Sequence, residues 1–400
     1  PAIAPLVSES IPGALTDVPT NSTAREPWPV TGSHPPEATT GLSVSWLRSE
    51  AHELWMSPVS TTALCTGACD TLKAASWAED VRRSAGAGGV HNDLMTHGEP
   101  VFRPLTGIYE PSAIQQLPDG RLLVVEDEKE HPLSLVSIRA DHSVETEAMT
   151  AGLLQMFSSF WKLDDLEGLA ADQAGFIYGI TSHSRNDDGD EKKSREKLVR
   201  FRVEGDRVVD PQVVDGLKDA LTSRHAVLAA AAHVREVKAS GGLNIEALEI
   251  SADQQQLLIG LRSPLCDGRA LIARVENPSA VFDSNEAPRI APALDELDLG
   301  GHGIRGLSYV PALAAYLVIG GPASREAASF DLWCWSGQPG APARRVTVPG
   351  LRSFEKAEGV CPAMVGGLER IVIVSDDGSR AAKRAAGYLL LDPAQLQIAD

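Results

Sequence analysis

Short apolar segments, separated by Gly, Pro, Asp and Asn, recur along the chain from about residue 100 to its end. In the clearest unit, residues 164–169 (DDLEGL) are followed by a turn and by the apolar segment 176–181, which runs into polar residues. Short apolar runs bounded by turn residues are typical of β-strands. The pattern therefore predicts an all-β architecture built from pairs of strands.

This strand pair recurs, with a marker residue near the start of each first strand. The later copies are residues 244–248 with 257–263, 303–307 with 316–321, and 356–360 with 371–377. Residues 111–114 with 122–127 form a weaker copy. The marker residues are Ala113, Glu167, Glu246, Arg305 and Glu358, at intervals of 54, 79, 59 and 53 residues.

Further strand-like segments follow each pair, so that each unit holds about four strands. These segments are 133–138, 197–203, 270–275, 330–335 and 387–391. Repeated four-stranded units are typical of a β-propeller, whereas a β-sandwich would not repeat one marker in every unit. The sequence predicts five or six blades, in a ring closed by strands from both chain ends. Residues 42–60 and the N-terminal arm are candidates for a sixth blade.

The chain divides by composition into three parts. Residues 1–40 are Pro-rich, with eight of the 26 prolines in the first 36 positions, and we expect an extended arm that lies along the domain or is mobile. Residues 41–99 form an irregular segment, with a short helix over 70–84 and two apolar pieces within 42–60. Residues 100–400 form the propeller. Apolar residues at helical spacing predict a helical insertion at about 215–240.

The bulk composition excludes several classes of protein. The chain has 400 residues, is 43% hydrophobic and carries a net charge of −18. It can bury a substantial core, so global disorder is excluded. The negative charge argues against a nucleic-acid or anionic-membrane surface. No apolar run approaches the roughly 20 residues of a transmembrane helix.

The number of cysteines and the first residues of the chain are relevant to its cellular localisation. Five cysteines do not form a disulfide scaffold. Cys65 and Cys69 are spaced C-x3-C. The first interpretation is a pair of buried thiols, the second is a local disulfide, and the third is a metal site. No signal-peptide pattern is present at the start of the given chain. The localisation stays open between a cytoplasmic protein and an exported one that has been processed.

In a propeller, the first strand of each blade lines the central channel. We therefore expect the markers to converge at one level, with Arg305 facing Glu167, Glu246 and Glu358. One interpretation is a polar pocket that holds a divalent cation such as calcium or positions carboxylates for hydrolysis. The other is architectural: each Glu accepts hydrogen bonds from backbone N–H groups of the next blade, and the following Gly allows close strand approach.

Residues that occur once, rather than in every repeat, are the better indicators of a site. The candidate catalytic residues are Glu167 and His183, and the candidate metal ligands are Glu167, Glu246 and Glu358. Arginine suits carboxylate or phosphate recognition. The candidate ligand-binding residues are Arg185, Glu246, Arg262, Arg305, Glu358 and Asp376.

The chain resembles a bacterial protein family of unknown function, similar in turn to phytase-like and esterase-like β-propellers. The resemblance covers about residues 100–400. It is carried by residues 165–169 (DLEGL), 182–185 (SHSR), 194–198 (SREKL), 242–246 (GLNIE), 261–265 (LRSPL) and 303–305 (GIR). The phytase-like relation implies calcium and phosphoester hydrolysis.

These observations lead to three functional hypotheses. The first is a binding module, in which the channel mouth holds a small polar or anionic ligand or the rim holds a protein partner. The second is a metal-assisted hydrolase of esters or phosphoesters. The third is a structural subunit of a larger assembly, in which the arm contacts a neighbouring subunit. A propeller fold serves all three, so the fold does not decide between them.

Overall fold

The computed structural model describes residues 99–127, 132–151, 158–237, 241–324, 329–354 and 356–399. The chain divides into two compact units, residues 1–91 and 92–400, and every described residue belongs to the second. The predicted arm, the candidate strands within 42–60, the helix at 70–84 and the Cys65–Cys69 pair lie outside the described residues.

Twenty-one strands form five antiparallel sheets in the described part of the chain. Strand β1 is Arg103–Leu105. Blade 1 contains β2 (Pro111–Gln116), β3 (Leu122–Glu126), β4 (Leu133–Ile138) and β5 (Val144–Ala148). Blade 2 contains β6 (Leu166–Ala171), β7 (Ile177–Thr181), β8 (Leu198–Glu204) and β9 (Arg207–Val214).

The remaining three sheets follow in chain order. Blade 3 contains β10 (Asn244–Ile250), β11 (Leu257–Ser263), β12 (Ala270–Val275) and β13 (Asp295–Leu297). Blade 4 contains β14 (Gly303–Val310), β15 (Ala315–Gly321), β16 (Asp331–Trp335) and β17 (Arg344–Thr347). Blade 5 contains β18 (Ala357–Val365), β19 (Leu368–Ser375) and β20 (Ala386–Leu391). Strand β21 is Gln397–Ile398.

The first strands of successive blades, β2, β6, β10, β14 and β18, contact one another in turn, and β18 contacts β2. The five sheets therefore form a closed ring around a central channel. The fold is a five-bladed β-propeller, which confirms the all-β propeller predicted from the repeats.

Both ends of the described chain add an outer strand to one of the last two blades. Strand β1 pairs with β20, with Leu105 opposite Ala386, and supplies the outermost strand of blade 5. Strand β21 pairs with β17, with Ile398 opposite Val346, and extends blade 4. Leu105 is fully buried, so its side chain anchors the closing strand in the apolar core.

The core consists of five apolar clusters, each formed between two neighbouring blades. Leu123 of blade 1 and Ile177 of blade 2, for example, belong to the same cluster and are fully buried. Full burial of one such side chain stabilises the fold by about 1.5–3 kcal/mol. Because each blade buries both faces of its sheet, most β3, β10 and β19 residues are apolar.

Two helices, α1 (Leu217–Arg224) and α2 (Ala226–Ala232), occupy the interval between β9 and β10, where the helical insertion was predicted. Leu217, Leu221 and Leu228 pack into the core between blades 2 and 3. Helix α3 (Pro278–Asp283) follows β12, and short 3-10 turns occur at Phe160–Lys162, Lys193–Arg195, Pro311–Leu313 and Pro393–Gln395. No helix in these ranges is long and apolar enough to cross a membrane.

Candidate functional site at the channel mouth

Each innermost strand has a β-bulge, at which one residue is skipped in the pairing register. A bulge re-aims its side chain, and here it lets one residue per blade line the channel. The skipped residues are Ser112, Glu167, Glu246, Arg305 and Glu358. The marker predicted for the first unit, Ala113, is wrong by one position. Ala113 is buried in the apolar core, and the weak first copy has no charged residue to set its register.

The residue after each bulge is Ala or Gly because adjacent inner strands approach closely there. A Cβ atom on Gly168 would lie 2.7 Å from Leu248 N, and one on Gly359 would lie 3.0 Å from Ile114 N. At this level the channel narrows to a void of about 10 Å³. The glycines therefore allow close strand approach, as predicted, and the packed strands form a floor beneath the bulges.

Above this floor lies a polar cavity of about 410 Å³. Nine carboxylates and five arginines line it, with one apolar side chain, Val237. The acidic residues are Glu110, Asp127, Asp165, Glu167, Asp187, Glu236, Glu246, Glu358 and Asp376; the basic residues are Arg185, Arg195, Arg235, Arg262 and Arg305. The structure thus brings together every sequence-predicted site residue except His183.

Arg305 bridges two carboxylates at the base of the cavity. Its Nε lies 2.7 Å from Glu246 Oε2, and its Nη2 contacts Glu358 Oε1. Arg262 Nη1 lies 3.0 Å from Glu246 Oε1, which also accepts a hydrogen bond of 2.8 Å from Asn244 Nδ2. Arg305, Glu246 and Glu358 are all buried. The neighbouring carboxylates raise the pKa of Arg305 against the opposing effect of burial, so it stays charged.

A second ion-paired group lies on the blade 2 side. Arg195 Nη1 is 3.0 Å from Asp165 Oδ2, and Arg195 Nε is 3.3 Å from Asp164 Oδ2. Asp165 Oδ2 also accepts hydrogen bonds from Ser182 Oγ and, at 3.3 Å, from Ser184 Oγ. Asp165 has a φ of 65°, a left-handed conformation that carboxylate residues tolerate better than most. Its contacts hold this conformation and direct Ser184 toward the cavity.

Arg185 stabilises the loop at the cavity edge. Its Nε donates to Ala232 O at 3.1 Å, its Nη1 to Gly189 O at 3.2 Å, and its Nη2 to Glu191 Oε1 at 2.9 Å. These bonds join the loop between β7 and β8 to the end of α2. Most of its donor capacity is therefore used within the protein.

Glu167 differs from the other charged bulge residues, Glu246, Arg305 and Glu358. Within the described ranges, its carboxylate makes no hydrogen bond or ion pair, although it lines both the cavity and the void beneath it. Burial raises its pKa well above the usual range, and the nearby charges of Asp165, Glu246 and Glu358 raise it further. Both effects shift Glu167 toward its protonated form relative to a free glutamate.

Two other cavity carboxylates have raised pKa values. Burial raises the pKa of Asp376 to about 6, although Lys356 opposes the shift. Burial also raises the pKa of Glu358, with Arg305 acting in the opposite direction. Burial in the cavity therefore shifts both carboxylates toward their protonated forms relative to free side chains.

His183, a predicted catalytic candidate, is fully buried and does not line the cavity. Its Nδ1 donates to Thr181 O at 2.8 Å, and its Nε2 has no hydrogen-bond partner in the described part of the protein. Burial lowers its pKa to about 4, so the ring is neutral near pH 7. The turn it forms places the flanking residues Ser182 and Ser184 beside Asp165.

Three further residues line the cavity that were not predicted as site residues: Asp165, Arg195 and Asn244. Asp165 precedes a bulged strand and Asn244 lies two positions before a marker glutamate, so their places in the repeat were available signals. Arg195 belongs to the loop between β7 and β8, which no repeat pattern covers. Only the tertiary contacts identify it.

The predicted calcium ligands do not fit a metal site as arranged. Glu246 and Glu358 both contact the Arg305 guanidinium, which holds a positive charge where a cation would lie. In the ranges that the structure describes, no group of three or more His, Cys, Asp or Glu side chains is arranged to hold a metal ion. Glu246 and Glu358 contact polar side chains of neighbouring strands. A purely architectural role predicted backbone N–H groups as their partners instead.

The fold and the site define a five-bladed propeller with a polar cavity at one channel mouth. Residues 217–392, which span α1 to β20, match the profile of a family described as "Protein of unknown function (DUF3616)". The predicted resemblance to a family of unknown function is thus confirmed over this segment. No curated protein matches the chain.

Solved structures with a similar arrangement include an oxidoreductase described as a glucose dehydrogenase, from Thermus thermophilus. It has 15% identity and a TM-score of 0.39, over 73% of this chain and 100% of that chain. The PQQ-bound aldose sugar dehydrogenase from Streptomyces coelicolor has 15% identity and a TM-score of 0.38, over 74% of this chain and 98% of that chain. The pyranose dehydrogenase PQQ domain from Coprinopsis cinerea has 10% identity and a TM-score of 0.37, over 78% and 89%.

Proposed function

We propose that this protein binds a small polar ligand in the cavity at the channel mouth. The observation that carries the proposal is the Glu167 carboxylate, which lacks a partner in the described part of the protein although it lines a cavity of about 410 Å³. A carboxylate that faces a cavity without a protein partner leaves its hydrogen-bonding capacity for a ligand. The cavity volume lies in the usual range for small-molecule sites.

Rigid surroundings support the same proposal. Arg305, Arg262 and Arg195 are held by carboxylates, and Arg185 by backbone carbonyls, so the cavity walls are ordered without a ligand. Preorganised walls reduce the entropy lost on binding. The sequence-based prediction that the arginines contact an anionic ligand stays a prediction, and it requires at least one of these pairs to open.

Thermal unfolding with a panel of small amines, polyols, carboxylates and phosphates tests the proposal. We expect at least one compound to raise the melting temperature in a concentration-dependent manner. Glu167→Gln should weaken the effect. The matched control is Glu249→Gln, which makes the same change at a buried glutamate outside the cavity. A panel without effect on the wild type, or an equal response of Glu167→Gln, would contradict the proposal.

A second candidate function is hydrolysis of an ester or phosphoester, which the resemblance to phytase-like and esterase-like propellers implies. It is favoured by one pair of residues. Burial raises the pKa of Glu167, whereas the neighbouring Asp165 contacts Arg195 and Ser182. Two carboxylates in such different surroundings suit acid and base roles. A chromogenic ester and phosphate screen at about pH 5–8 tests it, with Glu167→Gln expected to abolish turnover.

A further inference from the structure

The charges of the cavity are distributed unevenly around the ring. Blades 3 and 4 supply Arg262 and Arg305, which contact Glu246 and Glu358. The opposite side is formed by Glu110 and Asp127 of blade 1, Glu167 of blade 2 and Asp376 of blade 5, and we call these four residues the acidic wall. The bulge residue of blade 1 is the short Ser112, so the space in front of this wall is open.

The arginines of the cavity are already engaged elsewhere. Arg195 contacts Asp164 and Asp165, and Arg235 contacts Asp190, as Arg185, Arg262 and Arg305 contact the partners given above. Three members of the acidic wall, Glu110, Glu167 and Asp376, make no ion pair within 4 Å in the described ranges.

Two further cations lie near the wall without neutralising those three residues. Lys356 acts on Asp376 from beyond ion-pair distance and lowers its pKa, but burial prevails. Arg380 lies 3.6 Å from Glu126 Oε1 and stacks on the Tyr109 ring at 4.4 Å. Neither cation forms an ion pair with Glu110, Glu167 or Asp376 in the described ranges.

We propose that the cavity binds a small organic cation, an amine or a guanidinium compound, with its charged group against Glu167 and Asp376. The inference rests on the proposed function and names its ligand class. A positive group would attract the carboxylate of Asp376 and favour ionisation of Glu167 in a partly desolvated site. An anion would instead face Glu110, Glu167 and Asp376 while the cavity arginines are occupied by their own partners. No suitable set of metal-ligating side chains occurs in the described ranges, which favours an organic cation.

Binding of a cation should be linked to the proton on Glu167. The charged groups that face this carboxylate are Asp165 before β6, Asp127 after β3, Glu246 on β10, Glu358 on β18 and Arg305 on β14. Burial, together with the net effect of these charges, raises the pKa of Glu167 in the free protein. A bound cation favours the ionised form, so the proton leaves for solvent and affinity increases as pH rises.

Three probes with the same four-carbon chain test the inference: diaminobutane, butanediol and succinate. They differ mainly in charge, so titration calorimetry at neutral pH separates charge from shape. We expect diaminobutane to bind at least about tenfold more tightly than butanediol, and succinate not to bind. Titrations in PIPES and ACES buffers, which differ in ionisation enthalpy, measure the protons released, and we expect a net release of protons when diaminobutane binds.

Two substitutions test whether diaminobutane binds in the cavity. Glu167→Gln should weaken diaminobutane binding about tenfold and remove the buffer-dependent heat, whereas Glu249→Gln should change neither. Glu167-dependent binding of succinate or butanediol, with diaminobutane inactive, would overturn the cation inference and leave the proposed function intact. Binding of diaminobutane without proton release would overturn the role given to Glu167. If the wider thermal panel is also without effect, the proposed function fails as well.

Discussion

Arg305 Nε lies 2.7 Å from Glu246 Oε2, and this contact joins the innermost strands of blades 4 and 3 at the base of the cavity. The same guanidinium contacts Glu358 of blade 5. Three blades thus share one buried charge. The pairing explains why an arginine occurs at a position where three other blades carry a glutamate.

Removing this arginine should destabilise the propeller strongly. In Arg305→Met, Glu246 and Glu358 lose a shared counter-charge while they stay buried, and breaking a buried ion pair from one side costs about 3–5 kcal/mol. Urea denaturation followed by circular dichroism measures the loss.

The control is Arg139→Met, which breaks an exposed 2.7 Å pair with Glu145 and should cost less than about 1 kcal/mol. Adding Glu246→Gln and Glu358→Gln to Arg305→Met should recover part of the stability. Equal losses in Arg305→Met and Arg139→Met would show that the buried cluster does not depend on its arginine.

Close approach of the inner strands predicts a graded response to added methyl groups. In Gly168→Ala the new Cβ would lie 2.7 Å from a backbone nitrogen, whereas in Gly359→Ala the nearest backbone nitrogen is 3.0 Å away. Overpacking costs about 1–3 kcal/mol, so both variants should lose stability and Gly168→Ala should lose more. Denaturant midpoints measure the order. If Gly168→Ala were more stable than the wild type, the close packing would be contradicted. Such a gain is expected when the alanine only restricts the unfolded chain.

Stability should decrease from weakly acid to alkaline pH because of Glu249. Burial raises its pKa to about 7 although Tyr309 N and Ile250 N donate to the carboxylate. The folded state thus binds this proton more tightly than the unfolded state. The associated stability is present below the unfolded pKa of 4.5 and is lost as pH rises through about 7, a change of about 3 kcal/mol.

Glu249→Gln should flatten this part of the stability profile, since the amide does not titrate. Denaturation of both proteins at a series of pH values gives the difference directly. A constant difference between wild type and variant across this range would show that Glu249 is not the responsible group.

His183 should act in the opposite direction under acid conditions. Its pKa falls from 6.5 to about 4 on burial, so the neutral ring is favoured by folding. The associated stability is complete above 6.5 and is lost as pH falls through about 4, again about 3 kcal/mol. His183→Asn should flatten the acid limb, and Asn tolerates the φ of 55° at this position. An acid limb identical to that of the wild type would exclude His183 as its cause.

Ring closure should depend on one apolar side chain of β1. Leu105 is fully buried and its strand pairs with β20, so Leu105→Ala should cost about 2–5 kcal/mol. Thermal unfolding measures the loss. Val101→Ala is the control, because Val101 is 53% exposed and precedes the strand. If both variants melt alike, β1 does not stabilise the ring.

Much of the fold could be predicted from the sequence. Turn residues between apolar runs predict strands locally, and the recurrence of the Glu167 motif predicts one blade per copy. The first marker was displaced from Ser112 to Ala113 because a β-bulge shifts the pairing register without any change in composition. The register became clear only from the paired strands.

The site was predicted in part. The convergence of Glu246, Arg305 and Glu358 follows from the repeat, because equivalent positions on inner strands lie at one level of the channel. The burial of His183 does not follow, since a polar residue after a strand is equally compatible with the rim and with the interior. Arg195, on a loop without a repeat pattern, had no such signal.

The sequence by itself thus determined the strands, the repeated blades and the residue types that line the channel, because these depend on local patterns and on their recurrence. The tertiary structure alone decided which carboxylates are neutralised. Glu246 and Glu358 contact Arg305, whereas Glu167 has no such partner in the described ranges. The physical reason is that charge pairing depends on distances across the channel between residues remote in sequence, which no local pattern encodes.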